Sequence, residues 1–119
     1  MLSDFSLSDN TVGFLIEGTF DKEMASKLIA NIEAKLDFYD TINLYLEDVN
    51  IQDFSLAAVV EEMLFKVKHS DRFNKIALVT DKKYFKACAT ITKMFMSSET
   101  RTFSPSERVD AITWVSRTD

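Results

Sequence analysis

The stretch Lys75–Met96, KIALVTDKKYFKACATITKMFM, decides the fold. Ile76-Ala77-Leu78-Val79 is continuously apolar and bounded by polar residues. A strand with one wet face alternates, whereas a continuous apolar run is buried on both faces and belongs to a helix-covered sheet. Thr80-Asp81 then reads as a polar turn, with Asp81 as the predicted N-cap of a helix. That helix carries Tyr84, Cys88, Ile91 and Phe95 on one stripe, widened by Phe85, Ala87 and Met94. Lys82, Lys83, Lys86, Thr90 and Lys93 take the opposite, wet side.

Outward from this unit, strands and helices alternate. Met1–Asn10, polar with Phe5 and Leu7 alternating, reads as a short edge strand ending in a turn at Asp9-Asn10, and Thr11–Glu17 as an alternating strand that completes a hairpin. Asp21 caps a helix whose inward stripe is Met24, Ala25, Leu28, Ile29, Ile32 and Leu36. Thr41–Glu47 is the next strand, and 47–53 reads as a loop. From Ser55 to His69, residues Leu56, Val59, Val60, Met63, Leu64 and Val67 follow the helical period and predict an inward face. Glu62 and Lys66 then form an exposed i, i+4 pair, and Phe65 points away from the stripe into solvent. Thr100–Phe103 is a last strand. Ser104-Pro105-Ser106-Glu107 is a capping box with Pro at the first helical position, opening a helix with Val109, Ala111, Ile112, Trp114 and Val115. The alternation implies an α/β fold: a mixed, mostly parallel sheet of four to five strands with about four helices, in a single domain over 1–119.

Composition excludes several function classes. Nineteen acidic against fourteen basic side chains give a net charge of −5, which argues against nucleic-acid binding. One cysteine leaves no internal disulfide or multi-cysteine zinc site. Two glycines leave no glycine-rich phosphate loop, and ten Phe with five Met give a soft aromatic core. No apolar run has the length of a membrane span, and the N-terminus lacks a signal pattern, so the expected location is cytoplasmic.

Candidate chemistry is sparse. Sites in such sheets form beyond the carboxyl ends of the strands, where Glu17, Glu47, Asp48, Asp53, Thr80 and Asp81 fall. Their carboxylates raise an acidic, metal-dependent enzyme as one alternative, although capping explains them equally well. His69 ends a helix and Cys88 lies on an apolar stripe, so neither forms a catalytic pair; no catalytic residue, metal ligand or cofactor is assigned. Lys82, Lys83 and Lys86 gather at a helix N-terminus, where an anion would be held. Phe54 and Phe65 are candidate exposed aromatics for a ligand or a second copy of the chain.

Phe73–Lys82 (FNKIALVTDK), Asp53-Phe54-Ser55 leading into a helix with Glu61-Glu62, and the closing Val109–Val115 (VDAITWV) resemble the SpoIIAA-like family of small bacterial proteins. That family is similar to the STAS domain of anti-sigma-factor antagonists and sulfate transporters, and is likened to lipid-binding CRAL-TRIO domains. The resemblance implies helices wound in a right-handed superhelix and a binding or regulatory module, not an enzyme. Anti-sigma antagonists carry a phosphorylated serine at the start of the corresponding helix. Asp53-Phe54-Ser55-Leu56-Ala57 keeps the Asp and the Ser but lacks the Gly, so Ser55 is a phosphosite by position only. The leading expectation is a non-catalytic module for a lipid-like or amphipathic anionic ligand, its body on Phe54, Phe65, Tyr84 and Phe85 and its head at Lys82, Lys83 and Lys86. The alternative is a phospho-regulated protein–protein module. Homodimerisation and peripheral membrane contact complete the expected partners.

Overall fold

A computed structural model describes residues 1–8 and 10–117. Its five-stranded sheet has the order β1 (Leu2–Ser8), β2 (Thr11–Phe20), β3 (Ile42–Phe54), β4 (Phe73–Val79), β5 (Glu99–Phe103). β1 and β2 form the predicted antiparallel hairpin; the other pairs are parallel. Asn10 lies in the predicted turn, while Asp9 falls outside the described residues. The crossovers are α1 (Lys22–Leu36), α2 (Leu56–Lys68) and α3 (Lys83–Lys93), and α4 (Arg108–Ser116) closes the chain. Spatial order equals chain order because successive crossovers advance in one direction across the sheet.

The two sheet faces differ. Val12, Phe14, Ile16, Leu44, Leu46 and Ile76 pack under Ala25, Leu28 and Ile32 of α1 and Ala58, Val59 and Phe65 of α2. Tyr45, Ala77 and Val79 meet Ala111 and Val115 of α4 on the other side, beside Phe5 and Leu15. Gly13 pairs with Phe5 across the hairpin, and a Cβ on it would come within 2.4 Å of the Phe5 ring. Phe5 uses that space to lie edge-on to Tyr45, centroids 5.7 Å apart. Helix ends are tied down by cations, as their dipoles favour. Arg72 donates to the carbonyl of Leu36 at the end of α1 and to those of Tyr39 and Asp40 beyond it, and the buried Lys75 ammonium to those of Trp114 and Arg117 at the end of α4.

Several expectations need correction. Residues 47–53 are not a loop: β3 continues to Phe54, held by parallel pairing with β2 as far as Phe20. Asp81 does not cap α3; the N-cap is Lys82, whose N–H is bound by the Thr80 hydroxyl at 3.1 Å. The Ser104 box is present, with the Glu107 carboxylate accepting the Ser104 N–H at 2.9 Å, but it opens one turn of 3-10 helix before α4 begins.

The largest correction concerns which way α2 and α3 face. On α2, Leu56 and Leu64 are 65% and 63% exposed and Val60 is exposed too, whereas Phe65 is 8% exposed. The Glu62–Lys66 pair is turned inward, not outward. On α3 and just past its end, Tyr84, Ile91 and Phe95 face solvent, and Phe85, Cys88, Ala89 and Thr92 face in. Both helices are thus rotated by roughly 100°, about one residue step, from the orientation their apolar periods favour. The inward faces that result carry polar groups. Glu62 neutralises Lys66, and the Thr92 hydroxyl donates to the Cys88 carbonyl at 2.8 Å, so both can be buried. Phe65 then fills the space between His69 and Phe73, with centroids 4.6 and 6.3 Å away. Phe65→Ala should therefore lower the unfolding free energy in urea titration by about 3–5 kcal/mol. Leu64→Ser should change it by no more than about 0.5 kcal/mol. The reverse ranking would restore the orientation read from the period.

Candidate functional site

The carboxyl edge of the sheet carries two polar knots. Asp48 is buried; its Oδ2 accepts from the Thr80 hydroxyl at 2.8 Å and the Lys82 ammonium at 2.7 Å, and its Oδ1 from the Ile51 N–H at 2.8 Å. Glu47 is also buried, on the α4 side. It accepts from the Tyr45 hydroxyl and lies in a fork with Arg108, whose Nε is 2.9 and 2.8 Å from its two oxygens. A half-exposed Arg108 thus pins α4 to β3 by the bidentate geometry that guanidinium and carboxylate share. Both buried carboxylates are committed to protein donors. Glu17, Asp53 and Asp81 stay exposed, and among the described residues no three acidic, histidine or cysteine side chains gather as a metal site.

Beneath α2 and α3 lies an apolar cavity of about 60 Å³, measured as room for the centre of a water molecule. Its wall runs from Phe20, Ile51 and Phe85, near the carboxyl edge, to Lys66 and Thr92 in the last turns of α2 and α3. Leu28, Leu46, Val59, Met63 and Leu78 supply the apolar surface. The charged exceptions are Glu47 and Asp48, held by Arg108 and Lys82, and the Glu62–Lys66 pair, with side chains 15% and 9% exposed. Lys66 Nζ stands 2.8 Å from Glu62 Oε2, yet the angles are not those of a hydrogen bond, so that buried oxygen has no aligned donor. Cys88 lines the same wall. Burial pushes its thiol pKa up, and the charge of Glu62 adds to the effect. A thiol held protonated is a weak nucleophile.

The residues singled out by sequence are only partly brought together. Phe54 and Tyr84 meet at the junction of β3 and α3, centroids 4.7 Å apart, with Phe85 5.2 Å from Phe54. Phe65 does not join them: it is buried in the last turns of α2, beside Phe73 at the start of β4. Lys82 is tied to Asp48 and so is not a spare cation, while Lys83 is exposed and Lys86 half-buried. Ser55 caps α2, its hydroxyl accepting the Ala58 N–H at 3.1 Å. Glu62, Lys66, Glu47 and Arg108 were not anticipated as a cavity pair and a buried knot. A glutamate and lysine at i, i+4 look the same whether wet or dry.

Tyr45 supplies a pH test. Burial, followed by the hydrogen bond to Glu47, raises its phenol pKa well above the ordinary 10.0. A pKa higher in the folded than in the unfolded state gives stability that is complete below pH 10 and is lost as pH rises above it. The unfolding free energy should fall above pH 10 and fall less steeply in Tyr45→Phe, as read by urea titration between pH 8 and 11. Arg108→Ala, which strips the buried Glu47 of its cation, should cost about 3 kcal/mol in the same assay at pH 7.

The model of the SpoIIAA-like family matches residues 11–116. Among curated proteins, none matches the chain by sequence. A solved structure of an uncharacterised protein of the DUF3478 family from Shewanella loihica PV-4, with a SpoIIAA-like fold, is similar with a TM-score of 0.74 at 18% identity, covering 97% of this chain and 92% of that one. The anti-sigma factor antagonist SpoIIAA in its unphosphorylated form is similar with a TM-score of 0.62 at 10% identity, covering 95% of this chain and 98% of that one. At these identities the two structures speak for the fold. With the matched model spanning all but the first strand and the last residues, the chain belongs to the SpoIIAA-like family.

Proposed function

We propose that this chain is a non-catalytic binding module whose ligand is lipid-like, held between the sheet and the α2–α3 pair. The observation that carries the reading is the cavity itself: an apolar chamber under two helices whose best apolar stripes face outward. Soluble folds keep such residues inside unless another surface uses them. Room for one water centre takes roughly 10–15 Å³, so the chamber as it stands admits a few waters and not a long chain. Entry of an acyl chain requires α2 and α3 to part. Their exposed Leu56, Val60, Leu64, Tyr84 and Ile91 would then serve as the rim over which the chain enters from a membrane. Lys83 and Lys86, beside Tyr84, suit contact with anionic headgroups at that surface, now that Lys82 is engaged by Asp48. A cytoplasmic location and a homodimer closed over the same apolar stripes are compatible with this reading. Among the described residues no helix is long and apolar enough to cross a membrane.

A second reading has its own observation. Ser55 stands half-exposed at the N-cap of α2, and the SpoIIAA structure is described as the unphosphorylated form. A phosphate on Ser55 would replace the 3.1 Å cap bond and sit at the positive end of the helix, making a phospho-switched docking surface. Recovery of a Ser55 phosphopeptide from cells supports that reading, and an unmodified Ser55 under all growth conditions removes it. The binding reading is tested on protein purified gently from cells. Native mass spectrometry should show a bound single-chain species that solvent extraction releases. Re-addition at a hundredfold excess over Kd should raise the unfolding free energy by about 2.7 kcal/mol. Ala89→Phe, which fills the cavity, should fold and come out empty. Ligand-free wild-type protein that single-chain lipids do not stabilise would contradict the proposal.

A further inference from the structure

The geometry points to a head group: we infer that Glu62 and Lys66 read it, and that the ligand is an uncharged, hydroxyl-headed, single-chain lipid. This rests on the binding reading above and narrows it. The Lys66 ammonium has three donors, and Glu62 is its one ion-pair partner among the described residues. The buried Glu62 Oε2 receives charge from that ammonium but no aligned donor. Hydrogen-bonding capacity of both signs is therefore left over at one spot in the wall. Met63, Cys88 and Ala89 around it offer no competing charge, and the Thr92 hydroxyl already donates its proton to the Cys88 carbonyl.

Charge decides the class of head. Glu62 and Lys66 cancel, and the two other carboxylates in the wall, Asp48 and Glu47, are each matched by a cation, Lys82 and Arg108, so the wall carries no net charge. A carboxylate or phosphate head would leave a net negative charge in an apolar chamber, and an ammonium head a net positive one; both are strongly disfavoured away from water. A hydroxyl brings no charge, one donor for Glu62 and an acceptor for Lys66. Water can make the same bonds, but water gains nothing from the apolar wall that an alkyl chain would cover. The surface lysines at the α3 N-terminus thus face the membrane, and the interior pair selects what is taken from it.

The test uses the full chain and three probes of equal length below their aggregation limits: decan-1-ol, decanoate and decylammonium. Binding is read by calorimetry and by slowed alkylation of Cys88, the sole cysteine, which lines the same wall. Wild type should hold decan-1-ol roughly tenfold tighter than either charged probe. Glu62→Gln leaves Lys66 unpaired and should move the preference to decanoate. If that variant fails to fold, Glu62→Leu with Lys66→Met carries no buried charge and should keep the fold. It should no longer distinguish decan-1-ol from its methyl ether, whereas wild type should favour the alcohol. A charged probe binding wild type as tightly as the alcohol overturns the head-group inference and leaves the cavity reading standing. So does a ranking unchanged by Glu62→Gln, or a double variant that still prefers the alcohol. No binding by any probe, with Cys88 alkylated at the free rate, overturns both.

Discussion

The ion pair inside α2 sets the terms for the rest of one face of this molecule. A lysine and a glutamate turned toward the sheet must be neutralised by each other, because the desolvation of each ion costs several kcal/mol. Their mutual attraction repays this only in part, and apolar residues of the same volume would serve stability as well or better. Burying the pair also forces Leu56, Val60 and Leu64 outward. The fold thus carries two unfavourable features that come together: a polar group within and apolar groups without. α3 repeats the arrangement more mildly, with Thr92 inside and Tyr84, Ile91 and, just past its end, Phe95 outside. Such local conflict between pattern and placement is where function tends to sit in an otherwise consistent sequence.

The opposite face is built for permanence. Tyr45, Glu47 and Arg108 lock α4 to the middle strand, and Lys75 holds its last carbonyls. Asp48 collects Thr80, Lys82 and the Ile51 amide, fixing the turn that starts α3. These knots engage the two buried carboxylates of the edge, Glu47 and Asp48. The proposed ligand site lies under the pair α2–α3, whose outer surfaces expose Leu56, Val60, Leu64, Tyr84 and Ile91. In the proposed binding cycle the chamber loads by movement of α2 and α3 over the sheet.

Much of this was legible in the residues. Continuous apolar runs at Ile76–Val79 and the Ser104 box placed β4 and the start of the last helix, and strand–helix alternation implied the parallel sheet. The site was legible only at its edge. Phe54 and Tyr84 do meet, but Phe65, Lys82 and the inner face of α2 were misread. The reason is physical: periodicity counts residue types one at a time, and the orientation here depends on pairs. Glu62 is acceptable inside only because Lys66 is four residues on, and Lys82 is engaged as a partner only because Asp48 lies thirty-four residues back. The extension of β3 to Phe54 was hidden likewise, since Asp48 and Asp53 resemble loop residues until a neighbouring strand pairs with them.

The central claim is that α2 and α3 form a separable cover over a ligand chamber. Hydrogen–deuterium exchange measures this most directly. In ligand-free protein the backbone amides of Leu56–Lys68 and Lys83–Lys93 should exchange faster than those of β2, β3 and β4, through an opening smaller than global unfolding. Saturation with decan-1-ol should slow exchange in both helices together and leave α4 unchanged. Protection of α2 and α3 equal to that of the central strands, and indifferent to ligand, would contradict the account.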